Sequence, residues 1–523
     1  MPSSLLRTAD WSVIALYFLV MLAIGWYYSR RSRTSEDYLV GGRNMNSYAI
    51  GLSLFATLVS SLSYLAMPGE MIRYGPIFLT GLLAFPLIVG IVGWQIVPRI
   101  MRLRVTSAYE ILEARFGLTV RLVGSSFFLA MRLLWMAVIV YATSREVLVP
   151  ILGIDPSATP LICLIMGLTT VAYTTAGGLK AVVATDVAQS LIMVTGAMLA
   201  IGLITWRTGG IDGWWPQAWP EHWPPLTTGH DAGSQRSVLA FIVNAITWYV
   251  CTACSDQMAI QRYLATRDAR AAQRAFATSM VADGVMAVLL GLFGLALLGY
   301  GQFDSSLLTA GGSNFEHADQ ILPHFIVSGL PGGLGGLIIA ALLAAAMSSL
   351  SSGLSSSGSV VTVDFLDRLG AKSLSDAQHL RRAHYASLVI GIVVVVLSWY
   401  VGIVPGNLFE LVNKTVNLLV GPLAGLFILA MFVPRATTFG ALVGTVAAVI
   451  VVVVINHWEP LSLLSERWTG VASTAPFVSF LWATPVAVAT QVGLGALASR
   501  LPIGPPPRTM ASLMAPTPGA ADR

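Results

Sequence analysis

The chain has 523 residues, of which 55% are apolar and only 11% charged. Soluble domains average about 25% charged residues, so a soluble enzyme, a disordered chain and a fibrous protein are all excluded. The mean hydropathy of +0.75 makes lipid the solvent, and the net charge of +5 then bears on orientation in a membrane and not on nucleic acid.

A bilayer-crossing helix needs about 20 apolar residues. Thirteen runs are predicted, near 11–29, 47–67, 77–98, 122–149, 157–176, 184–206, 238–258, 277–300, 333–360, 385–403, 408–433, 437–457 and 475–499. They are continuous and do not alternate, which argues against barrel strands. The first lacks a small-residue cleavage site, so it reads as a span and not as a cleavable signal. With the N-terminus outside, 22 of the 30 lysines and arginines fall in cytoplasmic connections and 6 outside, leaving Arg132 and Lys414 within spans. Arg262 is counted here with the cytoplasmic group. The asymmetry supports both the count and the direction, since one missed span would reverse every later loop.

The longest outer segment, 207–237, carries Trp214, Trp215, Trp219 and Trp223 and reads as an outer cap or interfacial helix. The tail 501–523 is rich in Pro and Ala. Cys163, Cys251 and Cys254 are too few for a disulfide framework, and the C-x-x-C reads as two small residues of an apolar helix. Signatures of a P-loop, a zinc protease or a serine hydrolase are absent, which speaks against an enzyme.

Polar side chains inside apolar runs are costly, and they mark cavities, ion paths or contacts with partner helices. The second run, SLFATLVSSLSYLAMPGE, holds Ser53, Thr57, Ser60, Ser61 and Ser63 ahead of Pro68 and Gly69. An interrupted helix there exposes carbonyls that can coordinate a small cation; the alternative is hydroxyls bonded to their own or a neighbouring helix. In AAAMSSLSSGLSSSGS, residues 344–359, Ala345, Ser348, Ser349 and Ser352 share one helical face, with Ser351 about 60° from Ser348. Such a hydroxyl stripe suits Na+ better than a transition metal, and its small residues also permit close packing. In YTTAGGLKAVVATDVAQ, residues 173–189, Gly177 and Gly178 break a span and Lys180 sits in a cytoplasmic turn. Asp186 opens the next span, where capping is its other role.

Arg132 is about eleven residues into its span, or ~16 Å deep at 1.5 Å per residue. It can anchor a carboxylate in two-pronged fashion, or it can pair with Asp256 or Glu410. Glu410, Asn413 and Asn417 share a helix face, and Glu410 can pair with Lys414 at i, i+4.

YTTAGGLKAVVATD resembles the signature of the sodium:solute symporter family. So do SEDYLVGGRNM at 35–45, SAYEILEARFG at 107–117, SDQMAIQRYLATRD at 255–268 and VGPLAGLFILAMF at 420–432, in family order across about residues 10–435. The branch resembles the iodide, vitamin, monocarboxylate and sialic acid transporters. The resemblance implies an all-α integral membrane fold of about 13 transmembrane helices around a five-plus-five inverted-repeat, leucine-transporter-like core. Its parts are the outer N-terminus, first peripheral helix and basic cytoplasmic loop (1–46), core helices 1 to 5 (47–206), the Trp-rich extracellular loop (207–237) and core helices 6 to 10 (238–433). Two peripheral helices (434–500) and the cytoplasmic tail (501–523) follow.

Carried over by motif, the family's common sodium site consists of the backbone oxygens of Ala56, Val59 and Ala345 and the hydroxyls of Ser348 and Ser349. A second sodium site, found in some members, corresponds to Asp186, Ser348, Ser351 and Ser352. Solute binds beside the broken helix, with Thr57, Ser60, Ser63, Arg132 and Asn413 as candidates. Two departures stand out. The sialic acid transporters carry their substrate-binding Arg about one turn later, near Trp135 or Met136, and Leu82 or Leu83 stands where they use a Gln.

The implied activity is Na+-driven import of a small polar solute, such as a small carboxylate, acidic sugar, sugar or polyol, by alternating access. A Na+-independent channel or uniporter, or a membrane solute sensor, is the alternative on the same fold. The partners expected are Na+, the solute and the bilayer, with neither nucleic acid nor an obligate protein. The expected location is the bacterial inner membrane, with the C-terminus cytoplasmic.

Overall fold

The computed structural model describes residues 6–103, 105–228, 237–309, 311–312, 315–369, 375–402, 408–457 and 482–503, apart from the side chains of 369 and 408–417. Among the described residues the regular structure is helical, with no strand. Nine stretches there are long and apolar enough to cross a membrane, and three shorter apolar helices accompany them.

Helix α1 (Thr8–Ser29) is tied to the core by Asp10. Its Oδ1 accepts the Gly333 and Gly336 amides at 2.8 and 2.7 Å, at the start of the long helix that carries the serine stripe. Those amides have no partner within their own helix, and a carboxylate there also offsets the positive end of the helix dipole.

The first core helix comes in two pieces, α2 (Ser47–Leu58) and α3 (Ser61–Tyr74). Val59 (φ −84, ψ 114) and Ser60 (φ −101, ψ 168) between them are extended. Ser60 then acts as the N-cap of α3, its hydroxyl accepting the Ser63 amide. The interruption therefore precedes Pro68, which sits inside α3. Further on, a helical stretch 75–102 leads to α4 (Leu118–Ala142) and α5 (Thr159–Arg207).

The α5 helix turns back on itself at Gly178 (φ 61, ψ −158), which separates the two predicted spans. A Cβ at Gly178 would lie 2.5 Å from Tyr38 Cδ2 and 2.8 Å from the Tyr38 carbonyl. That backbone region belongs almost solely to glycine, so Gly178→Ala is expected to destabilise the protein by about 1–3 kcal/mol. An unchanged melting temperature in detergent would show the turn to be tolerant. Beside it, Lys180 Nζ donates to Asp37 Oδ1 at 2.5 Å and holds that carboxyl below the usual carboxylate range.

The second half repeats the broken-helix device. Helix α6 (Val238–Ser255) stops at an extended Asp256 (φ −83, ψ 122), whose carboxylate caps α7 (Gln257–Leu264) through the Met258 amide at 2.8 Å. Helices α8 (Ala269–Tyr300), α9 (Leu334–Val360), α10 (Asp376–Val401) and α11 (Leu408–Phe432) complete that half. Nearly all of α9 is buried, and α5 packs along it. Helices α12 (Thr438–Asn456) and α13 (Ala483–Ala498) pack as a pair against α11.

In the Trp-rich segment, the described residues form only a short 3-10 turn, Ile211–Gly213, and no α-helix. Trp215 and Trp219 are exposed, whereas Trp214 and Trp223 are buried. The buried pair donate to Thr205 Oγ1 and the Ile72 carbonyl, both at 2.9 Å, and so plug the end of the bundle.

Candidate functional site

A broken helix leaves carbonyls without their i+4 donors, and such groups must find other partners when buried. At the α2–α3 break they face the serine stripe of α9. Ser348 Oγ lies 2.8 Å from the Ala56 carbonyl and 3.2 Å from the Ala345 carbonyl. Ser349 Oγ lies 3.1 Å from the Thr57 carbonyl and 3.4 Å from the Val59 carbonyl. All five residues of the first expected sodium set thus meet across one junction, and both serines are buried. Carbonyl and hydroxyl oxygens are hard, neutral donors of the kind that replace a small cation's water at unwound membrane helices.

One helical turn further along α9, Ser352 Oγ is 2.8 Å from Thr57 Oγ1 and 3.4 Å from Asp186 Oδ2. Ser351 Oγ donates to the Ser348 carbonyl of its own helix at 3.0 Å. Asp186 Oδ2 also accepts from Ser53 at 2.5 Å, while its Oδ1 has no hydrogen-bond partner. The second expected set therefore gathers Asp186 and Ser352 in direct contact. Thr57, a candidate solute contact, is buried and bonds into this layer.

Arg262 is the residue that the sequence placed wrongly. Instead of lying in a cytoplasmic loop, its side chain is fully buried on α7. Its Nη2 donates to Asp186 Oδ2 at 3.1 Å and to Ser352 Oγ; Nε reaches Ser53 Oγ at 2.9 Å, and Nη1 the Met258 carbonyl at 2.9 Å. The misplacement has a local cause. The predicted run stops at 258, just past the break at Asp256, and the polar Gln261 and Arg262 of the next helix read as loop. A fully buried charge is tolerated because it is paired and each of its three nitrogens is hydrogen-bonded.

Arg132 is also buried, and its Nη2 is paired with Asp256 Oδ2 at the second helix break. Its Nε has no hydrogen-bond partner. Gly353 on α9 makes room for Met136, one turn further along α4: a Cβ there would sit 2.5 Å from Met136 Sδ, with Arg132 Cδ in ordinary contact at 3.4 Å. Of the two partners expected for Arg132, Asp256 is the one it meets among the described residues. Ser60 is buried and Ser63 is half-buried, with 3.4 Å between their hydroxyls. The side chains of Glu410, Asn413, Lys414 and Asn417 lie outside the described residues. Cys251 and Cys254 are buried and free, with Cys254 Sγ bonded to the Cys251 carbonyl. Among the described residues no His, Cys, Asp and Glu cluster could hold a metal.

The model of the sodium:solute symporter family matches residues 38–448. The chain belongs to the sodium:solute symporter family. It is a sodium-coupled solute symporter and a multi-pass integral membrane protein, and its relatives are transporters, not enzymes. It is 32% identical over 456 residues to the sodium/sialic acid symporter SiaT of Proteus mirabilis, covering 87% of this chain and 90% of that one. It is 28% identical over 452 residues to the human sodium/iodide cotransporter, covering 83% and 67%. A solved Na+-coupled sialic acid symporter, substrate-bound and outward-open with a novel Na+ site, superposes with a TM-score of 0.79 at 28% identity, over 96% of this chain and 99% of that one. The nucleobase-cation-symport-1 transporter Mhp1, at 12% identity and a TM-score of 0.55, shares the fold. In this symporter the two broken helices and α9 form the leucine-transporter-like core that the motifs implied.

Proposed function

We propose that this symporter imports a neutral, hydroxyl-rich solute, a sugar or polyol, together with two Na+. The observation that carries this reading is the Arg132–Asp256 ion pair, which occupies the arginine that would otherwise meet a carboxylate, so that among the described residues the break region offers no free cation. The first Na+ is held by the carbonyls of Ala56, Val59 and Ala345 and the hydroxyls of Ser348 and Ser349. The second is held by Asp186 with Ser348, Ser351 and Ser352. Solute binds at Ser60, Ser63 and Asn413, on the outer side of that layer. By bridging α2 to α9, the first Na+ favours the outward-open state, and only ligands that bind the two states differently can bias the cycle in this way. In the membrane the chain makes thirteen crossings, with the N-terminus outside and the C-terminus in the cytoplasm of a bacterial cell.

A second reading, an acidic sugar, is favoured by the sialic acid symporters among its relatives. It requires the substrate carboxylate to take Arg132 from Asp256. Thermal stability of the purified protein in Na+ and in K+, against hexoses, inositol, sialic acid and monocarboxylates, separates the two, because a ligand of the native state raises apparent stability. A Na+-dependent rise with a hexose or inositol is expected. A rise with sialic acid or a monocarboxylate alone overturns the neutral-solute reading.

A further inference from the structure

The Asp186–Ser352 cluster poses an electrostatic conflict. The Asp186 carboxylate already has a permanent cation on it, because the Arg262 guanidinium stays charged under all relevant conditions. Arg262 Nη2 holds Asp186 Oδ2 at 3.1 Å and also takes Ser352 Oγ, two of the four groups proposed for the second Na+. Two unit positive charges within about 4 Å repel by several times the thermal energy at the effective dielectric of a protein. Na+ and the guanidinium therefore compete for the same ligands.

We infer that Arg262 is a tethered stand-in for the second Na+: it occupies Asp186 and Ser352 when the ion is gone and yields them when the ion binds. This rests on the proposed second sodium site. Three observations carry it. The guanidinium is fully enclosed, with all three of its nitrogens bonded. Asp186 Oδ1 is buried without a partner, so a full coordination shell is not completed by the arginine. The contact also joins elements that alternating access must separate. Ser53 and Arg262 stand on α2 and α7, the halves of the two broken helices that lead to and from the Lys180 side, whereas Asp186 and Ser352 stand on α5 and α9.

The consequence is a switch built on charge balance. Without the second Na+, Arg262 neutralises Asp186 and clamps α2 and α7 against α5 and α9, closing that side. Na+ arriving at Asp186 expels the guanidinium, loosens the clamp and prepares that side to open. After Na+ leaves, Arg262 returns, so the unloaded carrier resets without a bare carboxylate in the membrane interior, which is costly.

The test measures radioactive Na+ binding and Na+-induced thermal stabilisation of the purified protein and its Arg262→Gln, Arg262→Lys and Asp186→Asn variants, with Na+ as the only ligand. In Arg262→Gln the second Na+ is expected to bind at about tenfold lower concentration, its competitor being gone, and the rise in melting temperature on adding Na+ is expected to exceed the wild-type rise. Arg262→Lys keeps the charge and is expected to hold the second affinity within about threefold of wild type; it carries the comparison if the glutamine variant does not fold. Second-site binding in Arg262→Gln at wild-type or higher Na+ concentration overturns the inference while Asp186→Asn loses one ion. Asp186→Asn retaining both ions overturns the second-site reading itself.

Discussion

Asp256→Ala is expected to lower the stability of the protein by about 3–5 kcal/mol, because it leaves the buried Arg132 guanidinium without its carboxylate. Breaking a buried pair from one side is far costlier than replacing both partners, since the survivor keeps its desolvation penalty. Asp256 also caps α7 through the Met258 amide, which adds about 1 kcal/mol to the loss. Asp256→Asn retains the cap and isolates the charge effect. The double variant Arg132→Gln with Asp256→Asn should recover most of the stability, as read by thermal melting in detergent. Equal melting temperatures for Asp256→Ala and wild type would show the pair to be energetically idle. The double variant further sorts the two solute readings: a neutral solute continues to stabilise it in Na+, whereas an acidic one does not.

The second large effect is expected at Ser349. Its hydroxyl faces the Thr57 and Val59 carbonyls across the α2–α3 break, and it is a proposed ligand of the first Na+. A hydrogen bond or ligand contact to a charged group contributes about 1.5–3 kcal/mol, so Ser349→Ala should raise the Na+ concentration for half-maximal stabilisation about tenfold or more. Ser356→Ala is the matched control, since Ser356 Oγ bonds only within its own helix, to the Ser352 and Gly353 carbonyls. Equal Na+ dependence in the two variants would remove Ser349 from the site.

Much of this molecule is readable in one dimension because a bilayer interior imposes strict local rules. Without water every backbone group must be bonded within its own helix, so each crossing is written as a long apolar run. The stripe Ala345, Ser348, Ser349 and Ser352 is similarly legible, because helical spacing alone puts these residues on one face. The glycine turn at Gly178 was legible too, since only glycine supplies that backbone region at a sharp reversal.

The site's charges were a different matter. Arg262 read as a loop residue because hydropathy registers polarity and cannot register pairing. A buried ion is tolerated only through a partner distant in sequence, and Arg262 meets Asp186, 76 positions away, while Arg132 meets Asp256 across 124. Likewise, Thr57 turns out to bond Ser352 on α9, a contact that spacing along α2 does not disclose. The sequence by itself determined the all-helical membrane architecture, the family and the serine stripe, because each is written in local runs and motifs; it left the break in the first core helix as one of two readings. Only the tertiary structure decided which carboxylate neutralises which arginine, because Coulomb energy depends on distance through space and on exclusion of water, and neither is set by position along the chain.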